Sequence, residues 1–267
     1  MRIIICVKEV LDPDAVDNYV LHGKLEIGDD GKTLTQTSIP RLMNAYDEQA
    51  IEAALRFRDG GTECTIDVVC VGGDPTAILR QAAAMGADEI TTVPVDAGSV
   101  DGHAVAKILA AYVASKGGAD LILCGRQASD DDQGVVPALL GEMLDMPVIT
   151  IARALELDSG VVRVTRVTPD GDEVAEANCP AIVTISNELG TPRYPTTMRT
   201  MKARKLQPHQ ASLESLSLTG DDVRPLVAMA RQYVSSVQGN CEFIEGSSPD
   251  EQASALIAKL RADRVIE

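Results

Sequence analysis

Short, nearly continuous apolar runs alternate with longer segments of helical periodicity along the first 150 residues of this chain. The runs RIIICV at 2–7, TIDVVCV at 65–71, EITTVPV at 89–95, ADLILCG at 119–125 and PVITIA at 147–152 are apolar or β-branched almost throughout. Runs of this length and character predict strands covered by helices on both faces. Between them, residues 45–58 place Ala50, Ile51, Ala54, Leu55 and Phe57 at largely helical spacing, while 75–86 opens on Pro75 and closes on Gly86. Proline suits a first helical position and glycine a helix end, so both segments are predicted helices, joined by 102–116 and 133–145. The repeated alternation predicts an α/β fold with a doubly wound, mostly parallel sheet.

The pattern then changes. VVRVTRV at 161–167 and EVAEA at 173–177 flank the turn sequence TPDGD, which predicts an added antiparallel hairpin. Pro180 opens a further short strand, AIVTI at 181–185. From about 187 onward proline, threonine, serine and basic residues dominate, with a short helix expected at 222–237 and a last one at 250–264. The expected division is therefore 1–187, a Rossmann-like domain, and 188–267, an extension with little core material of its own. Such an extension either folds as an arm against a protein partner or packs loosely on the same domain.

Composition narrows the class. Apolar residues make up 45% of the 267-residue chain, enough for a sizeable core. The formal net charge of −16 argues against nucleic acid and anionic membrane surfaces, both of which need concentrated Lys and Arg. Arg199, Lys202, Arg204 and Lys205 form a local basic exception. The six cysteines lack the spacing of a zinc site or a disulfide scaffold, and Cys6, Cys64, Cys70 and Cys124 fall in or beside predicted strands. A reducing, cytoplasmic location is expected. The apolar run at 3–7 ends at Lys8 and Glu9, too short for a signal-peptide core or a membrane span.

In an open α/β sheet the ligand lies beyond the carboxyl ends of the strands. Cys6-Val7-Lys8, Val71-Gly72-Gly73-Asp74 and the stretch Gly125-Arg126-Gln127-Ala128-Ser129-Asp130-Asp131-Asp132-Gln133-Gly134-Val135-Val136 all fall at such ends. Asn44-Ala45-Tyr46-Asp47, just before a helix, could reach the same crevice. Gly72 and Gly73 let backbone approach a ligand, and a helix starting at 133–136 would offer free N–H groups to phosphate. The three aspartates would repel phosphate, so one is expected to cap that helix and another to bind ribose hydroxyls or backbone N–H groups. Asp130 and Asp132 have the chemistry for magnesium, but no phosphate-handling lysine stands near them in sequence. No GxGxxG, GxxxxGK[ST] or GxSxG motif is present, and His22, His103 and His209 are isolated. These absences fit an adenine nucleotide that is held without being consumed, with any redox chemistry left to a cofactor.

Five stretches resemble the β subunit of the electron transfer flavoprotein family: IICVKEV at 4–10, MNAYDEQAIEAALR at 43–56, VCVGG with ILRQAAAMGADEI at 78–90, DLILCGRQASDDDQGVV at 120–136, and CPAIVTISNELGTPRYPTTMRTMKARK at 179–205. The resemblance implies a heterodimer whose α subunit holds a redox-active FAD, braced by the β subunit. It implies AMP in the β subunit's own crevice, or a second FAD in the electron-bifurcating members that also use NADH. The implied nucleotide contacts are Cys6, Asn44 through Asp47, Val71 and Gly125 through Val136.

By the same resemblance, 191–201 is a recognition loop for acyl-CoA dehydrogenases. Arg193, Tyr194, Thr197, Met198, Lys202, Arg204 and Lys205 are then the docking residues. Thr197 stands where the family has its apolar anchor, so Met198 takes that role or the partner differs. Val135 stands where a glutamine is common, and Pro137 where a glycine is common, which removes one side-chain contact to the nucleotide. Electrons would leave to a quinone reductase or another acceptor, and no catalytic side chain or metal is expected in this chain. A nucleotide-binding structural or sensing module is the alternative from another functional class.

Overall fold

The computed structural model describes residues 1–235 and 241–266, and the chain divides into two compact units, Met1–Gln232 and Tyr233–Glu267. In the first unit the elements run β1 (Arg2–Val7), β2 (Glu9–Leu11), α1 (Pro13–Leu21), β3 (Arg41–Met43), α2 (Ala45–Asp59), β4 (Thr65–Gly72), α3 (Thr76–Met85), β5 (Glu89–Pro94) and α4 (Gly102–Ser115). They continue with β6 (Leu121–Gly125), α5 (Val136–Leu144), β7 (Val148–Asp158), β8 (Val161–Thr168), β9 (Gly171–Asn178), β10 (Ala181–Ile185), α6 (Thr197–Ala203) and β11 (His209–Gln210). The sheet order is β11-β5-β4-β1-β6-β10-β7-β8-β9, and β2 pairs with β3 separately. From β11 to β7 every pairing is parallel, whereas β8 and β9 add an antiparallel extension.

Period-two alternation divides the buried strands between two faces. Ile3, Ile5 and Val7 of β1 join Leu121 and Leu123 of β6 under α2 and α3, while Ile4 and Cys6 join Ile122 and Cys124 under α4 and α5. Each strand thus supplies both cores, which is why the runs read as continuously apolar. The doubly wound α/β fold with its added antiparallel strands is the one the sequence predicts.

Asp67 interrupts this apolar floor. Its 1% exposed carboxylate accepts hydrogen bonds from Tyr112 Oη at 2.9 and 2.8 Å, and Lys116 Nζ lies 3.4 Å away. Burial, with the Asp67 charge beside it, pushes the Tyr112 hydroxyl well above its ordinary pKa, so it stays a donor.

Several elements differ from expectation. No helix forms over residues 222–235; positions 236 and 237 of that expected helix lie outside the described residues. Pro225 interrupts the segment, Leu226 and Val227 are each 72% exposed, and their N–H groups bond Asp101 Oδ2 at 2.7 and 2.9 Å instead of helical carbonyls. In the region expected to be a loop, Thr197–Ala203 is helical, capped by Thr196 Oγ1 accepting from Arg199 N. The short elements α1, β2, β3 and β11 carry too little periodicity to be read from sequence. In the second unit, α7 (Pro249–Ala262) is capped by Ser248, and the side chain of Glu251 accepts from Ser247 N at 2.9 Å.

Tyr112→Phe removes the hydrogen-bond donor from a buried carboxylate and should cost about 1–3 kcal/mol. Urea unfolding should show a lower midpoint with an unchanged slope. An unchanged midpoint would mean that Lys116 alone satisfies Asp67.

Candidate functional site

The chain winds from β1 to β4 and β5, then returns to the other side of β1 through β6. Strand order therefore reverses beside β1, and the carboxyl ends of β1, β4 and β6 border the crevice where such sheets bind ligands. Those ends carry Cys6 and Val7, Val71 with Gly72 and Gly73, and Gly125.

The first turn of α2 ties these ends together. Asp47 is 5% exposed; its Oδ2 accepts from Lys8 N at 2.7 Å, and its Oδ1 from Gly125 N at 3.0 Å. Asn44 Nδ2 donates to Gln127 O at 2.8 Å while its Oδ1 accepts from Ser129 N at 3.4 Å. Ala45 and Tyr46 complete the turn, and the Tyr46 ring lies 5.7 Å from the Arg126 guanidinium carbon. A Cβ on Gly125 would collide with Asp47 Oδ1 and lie 2.8 Å from Tyr46 Cβ, so only glycine admits helix and strand this close.

The three loop aspartates are already engaged. Lys8 Nζ lies 2.7 Å from Asp130 Oδ1 and 3.2 Å from Asp131 Oδ2, which holds its ammonium above the ordinary pKa despite partial burial. Asp131 Oδ1 also accepts from Gln133 N at 3.2 Å, and Asp132 Oδ1 accepts from Gln127 Nε2 at 2.9 Å. None caps α5, contrary to expectation. That helix also starts later than expected, at Val136, because Asp132 (φ 51°) and Gly134 (φ 60°) are left-handed and break helical continuity. The lysine missing from the neighbouring sequence is thus supplied from 122 residues away. The sequence places Lys8 at the crevice end of the first strand without pairing it to the acids; its position directly after that strand, opposite three acids, was the available signal.

With the acids engaged, the loop retains donors. Among the described residues, the N–H groups of Gly134, Val135 and Val136 have no hydrogen-bond partner in the protein. Gly72 and Gly73 border open space, since a Cβ on either would meet nothing within 4 Å, and neither backbone needs a left-handed angle. The packing of the fold therefore does not require glycine at either position. Gly102, at the start of α4, packs so tightly on α5 that a Cβ there would lie 2.7 Å from Val135 Cγ2. Contact with Cys124, together with burial, keeps the Cys6 thiol well above its ordinary pKa, so it offers a neutral, apolar contact and no nucleophile. Among the described residues no group of three or more His, Cys, Asp or Glu is placed to hold a metal ion.

The second set of sequence-predicted residues lies apart from the crevice. Tyr194 is 93% exposed; Met198 and Met201 on α6 are 68% and 62% exposed. Thr197, Lys202, Arg204 and Lys205 are exposed around them. Arg193 instead turns inward and pairs with Glu52 on α2, Nε to Oε2 at 2.7 Å.

Burial lifts Asp47 to about 7 from its ordinary 3.8, although the Lys8 and Gly125 N–H groups, the Asn44 amide and the Lys8 charge favour the carboxylate. An acid with a raised folded pKa favours the fold most below its unfolded value, and this contribution is lost as pH rises through about 7. Asp47→Asn, which also leaves one N–H without an acceptor, should cost about 1–3 kcal/mol. In urea titrations the gap between wild type and variant should narrow from pH 4.5 to pH 7.5. A gap that widens would identify the carboxylate as the stabilising form.

Residues 32–213 match the electron transfer flavoprotein domain family. The chain is 32% identical to the caffeyl-CoA reductase-Etf complex subunit CarD of Acetobacterium woodii, over all of both chains. It is 32% identical to the electron transfer flavoprotein subunit beta of Megasphaera elsdenii, covering 84% of this chain and 82% of that one. Identity to the probable β subunit of Saccharomyces cerevisiae is 36%, over 77% of each chain. This extent of shared sequence, carried on a doubly wound sheet, shows that the chain belongs to the electron transfer flavoprotein family as a β subunit, one member of a heterodimer.

Proposed function

We propose that the crevice holds AMP as a resident group that is never consumed, and that the subunit braces the α subunit's FAD while electrons pass from a flavin-dependent dehydrogenase to a quinone reductase or other acceptor. The observation that carries this reading is the unpartnered N–H trio of Gly134, Val135 and Val136, set in a loop whose aspartates are engaged by Lys8 and Gln127. Those donors suit a phosphate, and the open space at Gly72 and Gly73 suits a bulky ligand. When bound in the α subunit, FAD supplies the electron-transfer chemistry. This chain's own residues would hold the nucleotide and brace the α subunit.

A second FAD in place of AMP is the other reading, with NADH as electron source. The same open space favours it, because a larger ligand needs the room that two small residues leave. Two relatives, CarD of the caffeyl-CoA reductase-Etf complex and an acryloyl-CoA reductase electron transfer subunit, are named for CoA-thioester enzymes. That supports an acyl-CoA redox enzyme as partner here. Tyr194, Met198 and the basic residues Lys202, Arg204 and Lys205 would meet its surface, the apolar tips filling a pocket and the charges steering an acidic rim. Residues 188–267 would supply this docking segment and an arm on the α subunit. The α7 side chains of Leu256 and Ile257, 44% and 45% exposed, offer it apolar contacts. A cytoplasmic location is supported by the six free thiols, and no described helix is long and apolar enough to cross a membrane.

Extraction of cofactors from the purified heterodimer should yield one FAD and one AMP. Two FAD without AMP would replace this reading by the second, and nucleotide without flavin would leave only a sensing or structural module. Lys8→Gln should lower AMP affinity roughly tenfold, about 1.4 kcal/mol, by freeing Asp130 and Asp131 to repel phosphate. Unchanged affinity in equilibrium dialysis would remove Lys8 from the site. A chain ending at Gln232 should keep its nucleotide but lose α-subunit association and FAD retention. Retention of both would disprove the bracing arm.

A further inference from the structure

Glu52 lies midway along α2, 5% exposed, on a helix whose first turn already grips the crevice. Few carboxylates are buried this deeply unless they are paired. Its Oε2 accepts from Arg193 Nε at 2.7 Å and from Arg193 N at 3.2 Å, and its Oε1 accepts from an Arg193 terminal nitrogen at 3.2 Å and from Arg56 Nε at 3.1 Å. Arg193 also reaches Asp59 at 2.7 Å. These partners outweigh burial and hold Glu52 below its ordinary pKa.

The same helix face binds the chain leading into Arg193. Arg56 donates to Leu189 O at 2.9 Å, and Gln49 Nε2 approaches Asn187 O and Gly190 O at 3.4 Å each. The next residue, Tyr194, is almost fully exposed, and α6 begins three positions later. The chain thus turns from held to exposed at Tyr194, while α6 beyond it is held separately against α3, with Ala203 buried and Arg199 Nη1 donating to Met85 O at 3.1 Å.

We infer that Glu52 is the positioning residue of the docking segment: its carboxylate turns Arg193 inward as an anchor and so fixes the direction in which the adjoining Tyr194 faces a partner. Arg193 itself does not touch that partner. The inference rests on the proposed docking role of Tyr194 and Met198, and it separates the seven sequence-predicted docking residues into an anchor and a contact surface. A bidentate guanidinium fixes direction where an ammonium fixes only distance, so Arg193→Lys should reproduce part of the Glu52 phenotype.

The test uses the intact heterodimer, with an acyl-CoA dehydrogenase reduced by its acyl-CoA as electron donor. Glu52→Gln should raise KM for the dehydrogenase about tenfold with kcat unchanged, and Arg193→Lys should raise it less. Hydrogen exchange over 189–200 should quicken at least tenfold in Glu52→Gln, while 125–136 keeps its wild-type rate. Tyr194→Ala provides the separate check on docking. If Tyr194→Ala leaves KM unchanged, the docking reading and this inference both fail. If Tyr194→Ala raises KM but Glu52→Gln changes neither KM nor exchange, the docking reading stands and the positioning role of Glu52 is overturned.

Discussion

Asp47 accepts hydrogen bonds from two backbone N–H groups that belong to different strands, one just past the end of β1 and one at the end of β6. A parallel sheet leaves its strand ends without ladder partners, and here one buried carboxylate replaces the missing bonds on both sides of the strand reversal. The rest of the crevice follows from that tie. Gly125 must lack a side chain because the helix turn bearing Asp47 lies against it, and Asn44 is thereby placed to bind the loop after β6 at two points. The cost is a carboxylate in a poorly solvated place, reflected in its elevated pKa.

The loop after β6 shows how adjacent acids are held in place by distant partners. Three consecutive aspartates would oppose phosphate if they faced it freely, yet two are matched to Lys8 and the third to Gln127. Exposed ion pairs of this kind contribute little to stability, about 0–1 kcal/mol. Their effect is on loop conformation: the Lys8 ammonium offsets one carboxylate charge, and the neutral Gln127 amide orients Asp132 without cancelling its charge.

The sheet and its helices were legible because burial on both faces imprints period and run length directly on the sequence, as in RIIICV and ADLILCG. The strand-end segments were legible because topology alone places them. What escaped were features set by distant partners. Lys8 looked like the charged end of an apolar run until folding brought Asp130 beside it. Arg193 and Tyr194 adjoin in sequence but face opposite ways, and nothing in their local pattern distinguishes inward from outward without Glu52. The expected helix over 222–237 does not form over 222–235: Val223 alone of the apolar residues there is buried, Pro225 interrupts the run, and Asp101 bonds the Leu226 and Val227 N–H groups instead.

The contact between Gly102 and Val135 has an evolutionary consequence. A methyl group at 102 would stand 2.7 Å from Val135 Cγ2, so valine at 135 would have to turn toward solvent to admit one. The two positions should therefore drift as a pair: lineages that carry a slimmer residue at 135 acquire alanine or serine at 102 more readily than lineages that keep valine. Covariation between two loop-and-helix starts 33 residues apart would then record crevice geometry more faithfully than either residue's own conservation.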